Sequence, residues 1–272
     1  MKKNILEASF IVNMCKTTHN LYQHGWDERN GGNISMILSE EEVSEYLDIS
    51  DVKRVIPTKF DASKLAGKYF IVTGAGKYFK NVIDAPAVNM GIVHVQENGN
   101  NLDLLWGYED GGFPTSELPS HFMTHISRLS VDLDNKVVIH CHATNLLAMT
   151  FTYSLDEREF TRILWQMCTE SLVVFPDGVG ILPWIVPGTN EIGVATAEKM
   201  RTSRLVIWPF HGVYGAGKDL DETYGLVETA EKSAQVYTLT QAQGGIKQTL
   251  TDHNLRELAE AFHVVPKVGY LE

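Results

Sequence analysis

Apolar side chains recur along this chain at two spacings, and the change from one to the other marks its elements. Leu6, Phe10, Met14 and Leu21 follow a near-helical interval that stops at Gly25, which predicts an amphipathic N-terminal helix with a glycine stop. Alternation then takes over. In NISMIL, Ile34, Met36 and Leu38 alternate with more polar neighbours, the period of a strand. The acidic stretch from Ser39 to Asp51 reads as a solvated surface segment. YFIVTG and VNMGIVHV read as strands, and ENGNN, Glu97 to Asn101, as a turn before a further strand, LDLLWG.

Helical spacing returns in Ser116 to Leu129, with Leu118, Phe122, Ile126 and Leu129 on one face. Val137 to His142 predicts a strand, a helical region follows from Asn145, and another helix covers Arg158 to Glu170. Leu172 to Phe175 is expected as a short strand ended by PDG. Glu191 to Arg201 is expected as a helix, Leu205 to Phe210 as a strand, and Asp221 to Gln243 as a long helix stopped by Gly244-Gly245. A last helix is expected near Asn254 to Phe262. Early strands come in hairpin-like pairs, later helices are interspersed, and no repeat or Pro/Ser-rich linker interrupts them. The pattern predicts one α/β domain over residues 1–272 with a mixed or mainly antiparallel sheet.

Composition narrows the function. The 34 acidic residues outnumber 23 basic ones, for a net charge of −11, so nucleic acid and anionic membrane are poor partners. Any phosphate must be held locally by a few aimed donors. Three cysteines, Cys15, Cys141 and Cys168, do not suggest a disulfide framework and point to a reducing compartment. The N-terminus lacks a continuous apolar core for a signal peptide, and no run reaches the roughly 20 apolar residues of a membrane span. The expected location is the cytoplasm.

The chemistry lies in VVIHCHATN. Residues two apart on a strand point the same way, so His140 and His142 project from one face, close enough to reach one ion. A third ligand is needed for a catalytic zinc with an open position. His211 ends WPFHG, after the apolar run LVIW, in a context matching that of His140 and His142. By contrast, His19, His24, His253 and His263 lie on or near terminal helices, His94 stands alone in a strand, and His125 lies near the inner face of its helix. Glu117 and His121, four apart on a helix, could also chelate a metal. The competing reading is a helix start, with Thr115 or Ser116 as the cap and Glu117 favouring the helix dipole.

Three short segments could hold a phosphate. ERNGGNIS carries Asn30 and Asn33, VTGAGK carries Gly74 and Gly76, and PTSE places Thr115 and Ser116 at a helix N-terminus. TGAGK completes neither the P-loop nor the dinucleotide-binding pattern. Lys77, Lys80 and Lys232 have polar or glycine-rich neighbours, so no lysine stands out for a Schiff base.

Taken in order, GWDERNGGNIS, FIVTGAGK, PTSELPSHF, HCHATN, VVFPDGVGILPW, VPGTNEIG, WPFHGV and LDETYGL resemble the class II aldolase/adducin family, from about Gly25 to Gly245. The resemblance implies a three-layer α/β/α fold around a mostly antiparallel sheet. It implies one Zn2+ per subunit on His140, His142 and His211, and a cyclic homotetramer with sites near subunit interfaces. It also implies retro-aldol cleavage of a sugar phosphate, with Glu117 as acid/base, and Glu170 reaching a neighbouring subunit's site. The phosphate would lie among Asn30, Asn33, Gly74, Gly76, Thr115 and Ser116. Ala75 departs from the serine that the family implies there, which removes a hydroxyl donor. Family epimerases that rejoin the fragments, a metal-free adducin-like binding module and a cupin-type metal oxygenase are the alternatives. The long helices and the lack of many short strands argue against the cupin.

Overall fold

Alternating side chains along nine strands build the two faces of one sheet in the computed structural model, which describes residues 2–271. The strands are β1 (Asn33–Leu38), β2 (Arg54–Pro57), β3 (Tyr69–Thr73), β4 (Met90–Val95), β5 (Asn101–Gly107), β6 (Val137–Cys141), β7 (Val179–Ile181), β8 (Leu205–Trp208) and β9 (Gly212–Gly217). Their order across the sheet is β2-β5-β4-β3-β1-β6-β9-β8-β7. Neighbours are antiparallel except β7 and β8, which are parallel.

The helices are α1 (Ser9–Gln23), α2 (Glu40–Ser44), α3 (Pro86–Asn89), α4 (Leu118–Leu129), α5 (Thr144–Thr152), α6 (Glu157–Met167), α7 (Thr169–Val174), α8 (Asn190–Lys199), α9 (Leu220–Ala242) and α10 (Asp252–Ala261). On one face of the sheet Ile34, Ile71, Ile139 and Ile207 pack with Met14 of α1, Leu146 of α5, Leu164 of α6 and Val227 of α9. On the other, Phe70 and Val72 pack with Leu118 and Phe122 of α4, while Val138, Val206 and Tyr214 pack with Ile192 of α8. This is the expected three-layer α/β/α arrangement, because a strand period of two gives the sheet two apolar faces that both need covering. No helix among the described residues is long and apolar enough to cross a membrane.

The expected strand at Leu172–Phe175 is instead the end of α7. Four apolar residues carry too little periodicity to tell helix from strand. Packing against α6, α9 and α10 settles the helix, with Ser171 and Leu172 buried. The helix expected over Arg158 to Glu170 breaks at Cys168, whose backbone is extended at φ −151°. Within the acidic segment after β1, Ser39 and Glu42 form a reciprocal capping box that starts α2, and Val43 turns into the core. The strands β2, β7 and β9 were not apparent from the sequence. β9, GVYGAG, is rich in glycine, a weak strand former, and is held by pairing to β6 on one side and β8 on the other.

Candidate metal centre and acid/base site

Three histidines converge from adjacent strands. On β6, Val137, Ile139 and Cys141 enter the core shared with α1 and α9, so His140 falls with Val138 on the α4/α8 face. His142 lies one residue past β6, and its backbone N–H donates to the Trp26 carbonyl at 2.7 Å. His211 lies in the turn between β8 and β9, where Trp208 pairs with Gly212. Phe210 in that turn has φ +65°, a left-handed conformation uncommon outside glycine. Its N–H donates to Thr150 Oγ1 at 3.1 Å and its ring packs 4.8 Å from Phe151.

Ring centroids are separated by 5.3 Å for His140–His142 and by 4.9 Å for both His140–His211 and His142–His211. One nitrogen from each ring can be chosen so that all lie within 4.8 Å of one another. The donor set suits a divalent cation. His140 Nε2, His142 Nε2 and His211 Nδ1 are buried without a hydrogen-bond partner. Burial holds His140 well below the usual imidazole pKa and His211 at about 3, so both rings present neutral lone pairs.

The far sides of two rings are fixed. His140 Nδ1 bonds the Val213 carbonyl at 3.1 Å, and His142 Nδ1 bonds Glu28 at 2.8 and 3.0 Å. A ring that donates from Nδ1 leaves Nε2 free for a metal, and a carboxylate partner raises its basicity. Two glycines make room. A Cβ at Gly31 would stand 2.7 Å from His142 Cε1, and one at Gly212 would collide with the Cys141 carbonyl and stand 3.1 Å from His140 Cε1.

Glu117 closes the site as the residue before α4, with Oε2 3.6 Å from His140 Nε2. Sheet register explains the convergence. Asn33 on β1 and Tyr214 on β9 both pair directly with His140, so the three form one row across the sheet. Tyr214 OH donates to Glu117 Oε2 at 2.6 Å and Asn33 Nδ2 donates to the same oxygen at 3.1 Å. The Tyr214 ring also stacks on His140, centroids 4.6 Å apart. Neither Tyr214 nor Glu28 stood out in the sequence. An alternating stripe on β9 would have pointed to Tyr214, had its glycines not hidden the strand.

The candidate pair of Glu117 and His121 is not brought together as a chelate. Both His121 nitrogens are engaged, Nε2 with Asn33 Oδ1 and Nδ1 with Ser35 Oγ. Thr115 Oγ1 accepts from the Glu117 N–H at 3.3 Å, but no side chain caps α4 in the usual way.

The phosphate candidates fall into two groups. The N–H groups of Gly74, Ala75 and Thr115 already donate to Asn89, Phe113 and Thr73 carbonyls, and Lys77 pairs with Asp110. Asn33 uses its oxygen on His121 and one N–H on Glu117. The Asn30 side chain, the Gly76 amide at φ +70° and the Thr115 and Ser116 hydroxyls lie in the same loops. A cleft of about 760 Å³ is lined by Ala75, Thr115 and Ser116, with Phe60, Phe113 and Pro119 in its wall. The histidines do not line it. Glu170 is exposed at the start of α7, where its carboxylate accepts from Cys168 Sγ, and it joins neither the histidines nor Glu117.

A three-histidine metal-binding group beside a carboxylate, on a three-layer α/β/α scaffold, defines a class. Residues 12–238 match the model of the Class II Aldolase and Adducin N-terminal domain, and the chain belongs to that family. Among its relatives, a rhamnulose-1-phosphate aldolase of Listeria monocytogenes is 67% identical over 271 residues, covering 100% of this chain and 99% of the relative. One of Enterococcus faecalis is 68% identical, covering 99% and 96%, and one of Shigella boydii is 48% identical, covering 99% of each. The crystal structure of a sugar-phosphate aldolase from Thermotoga maritima superposes with a TM-score of 0.75 at 30% identity, over 87% of this chain and 96% of that one.

Proposed function

We propose that this protein is a zinc-dependent aldolase that splits rhamnulose 1-phosphate into dihydroxyacetone phosphate and L-lactaldehyde. One zinc per subunit is held by His140, His142 and His211. The carrying observation is the set of three unpartnered buried imidazole nitrogens, one per ring, beside a carboxylate 3.6 Å from His140. As the C4 hydroxyl releases its proton to solvent and its oxygen becomes the aldehyde carbonyl, the C3–C4 bond breaks and leaves an electron pair on C3 that spreads to the C2 oxygen. The bound cation supplies the Lewis acid that stabilises this charge.

The remaining work falls to the chain. Glu117 delivers a proton to C3, and in the synthetic direction it removes one. Tyr214 and Asn33 orient it by donating to Oε2. The phosphate is assigned to the loops carrying Asn30, Asn33, Gly74, Gly76, Thr115 and Ser116. One N–H of Asn33 stays free of Glu117 in that assignment. Because the Ala75 N–H is already bonded to Phe113, Ala75 contributes only shape. Glu170 is assigned to the site of a neighbouring subunit in a cytoplasmic homotetramer, which its exposed position supports.

The test is zinc quantification together with a coupled assay on rhamnulose 1-phosphate, fuculose 1-phosphate and ribulose 5-phosphate. Net aldehyde release from the first substrate is expected, which separates cleavage from epimerisation. Glu117→Gln is expected to lower turnover by roughly 10²–10⁴ with zinc retained, the usual contribution of a positioned acid/base. Near-normal turnover in that variant removes Glu117 from the reaction.

A further inference from the structure

A chain of buried side chains runs away from Glu117 between the sheet and α4, and the cation site makes no use of it. Asn33 Nδ2 donates to Glu117 Oε2, and Asn33 Oδ1 meets His121 Nε2. His121 Nδ1 is 2.8 Å from Ser35 Oγ, which is 2.8 Å from His125 Nε2. Ser35, His121 and His125 are fully buried. His125 Nδ1 ends the chain, buried and without a partner. Two stripes create this line. Asn33 and Ser35 share one face of β1, and Glu117, just before α4, is followed at four-residue spacing by His121 and His125 on that helix.

Donor and acceptor chemistry leaves one consistent arrangement. A carboxamide oxygen only accepts, so His121 Nε2 carries the hydrogen. Burial keeps both rings neutral, His121 well below the usual imidazole range and His125 at about 3. A neutral ring has one N–H, so His121 Nδ1 accepts from the Ser35 hydroxyl. Ser35 Oγ in turn accepts from His125 Nε2, which leaves His125 Nδ1 bare, as observed. Reversing the Asn33 amide would set its oxygen against Glu117 Oε2 and its NH2 against the His121 N–H.

We propose that His125, Ser35 and His121 form a positioning relay that locks the Asn33 amide with its N–H on Glu117 Oε2 and so holds the carboxylate in place for proton transfer. The relay rests on the reading of Glu117 as the acid/base of an aldolase. With Tyr214 donating to the same oxygen, both donors pin Oε2 and leave Oε1 to exchange a proton with C3.

The relay is tested by hydrogen exchange at C3 of dihydroxyacetone phosphate in D2O, followed by proton NMR on the zinc-loaded enzyme. This half-reaction needs Glu117 but no aldehyde. His121→Leu removes the N–H that fixes Asn33, whereas His121→Gln keeps an N–H donor. His121→Leu is expected to slow exchange by about 10- to 100-fold with zinc content unchanged, the range typical for loss of an orienting partner. His121→Gln is expected to recover most of that loss. In 15N NMR of the unliganded wild type, both rings are expected as Nε2–H tautomers. Wild-type exchange in a folded His121→Leu protein, no recovery in a folded His121→Gln protein, or an Nδ1–H tautomer at His121 overturns the relay. Should His121→Leu fail to fold, Ser35→Ala carries the test. It is expected to slow exchange roughly 2- to 10-fold for one lost hydrogen bond, and an unchanged rate overturns the proposal. Failure of the aldolase reading would show separately, as absent exchange and absent aldehyde release in the wild type.

Discussion

At the scale of single residues, the cation site depends on a side chain that touches no cation. Glu28 is mostly exposed, with 68% of its side chain accessible, yet it brackets His142 Nδ1 with both carboxylate oxygens. An exposed ion pair normally contributes little to stability. Its value here lies in fixing the tautomer and direction of His142, which leaves Nε2 for the metal. Glu28→Ala is therefore expected to weaken zinc affinity by about 10- to 100-fold with little change in melting temperature. Competition against a chromophoric chelator measures this directly, and an unchanged affinity would reduce Glu28 to a surface ion pair. The histidines were legible in the sequence because H-x-H on a strand has a geometric meaning. Glu28 was not, because its partner lies 114 residues away and only folding joins them.

At the scale of elements, the β8–β9 turn brings His211 to His140 and His142, and Gly212 makes that turn possible. The backbone of Gly212 lies so close to Cys141 that a methyl group there would meet the Cys141 carbonyl and crowd both His140 and His142. Gly212→Ala is thus expected to push β9 away from β6, costing about 1–3 kcal/mol as overpacking does. Zinc content should fall with it, because the same displacement opens the triad. Thermal melts and metal analysis of the variant check both effects, and a variant with wild-type values for each would show that the contact is not tight. The same glycines explain why β9 escaped sequence reading while its neighbour did not. VVIHC announces itself by an apolar run, whereas GVYGAG hides behind residues chosen for closeness rather than strand propensity. The Leu172 stretch failed for the opposite reason. Its apolar run was plain, but its conformation was settled by the helices packed around it.

At the scale of the whole molecule, the layered architecture followed from the mix of two-residue and helical periods, and the order of motifs tied it to a family. What periodicity could not reveal was how many polar groups the layers enclose, and these tie stability to pH. His125 has its pKa lowered by burial from 6.5 to about 3, so folding favours its neutral form. Its contribution is complete above pH 6.5 and is lost as pH falls through that window towards 3. Asp27 acts in the opposite direction. It is 3% exposed, and neither carboxylate oxygen has a hydrogen-bond partner of normal geometry. Burial, helped by the nearby Glu28 charge and offset only weakly by the Phe79 backbone, lifts its pKa from 3.8 to about 7. The folded protein therefore holds a proton on Asp27 that the unfolded chain has released. That contribution is complete below pH 3.8 and is lost as pH rises through 7. Asp27→Asn replaces the ionisable group with a neutral one of similar shape, so it removes this penalty without touching His125. The variant should gain roughly 1–3 kcal/mol over the wild type at pH 8, with a smaller gain at pH 5. Melting temperatures of both proteins across pH 4 to 8 give the comparison. A difference that grows with pH and levels off above 7 is the expected signature, and a difference independent of pH would mean that Asp27 stays ionised in the folded protein.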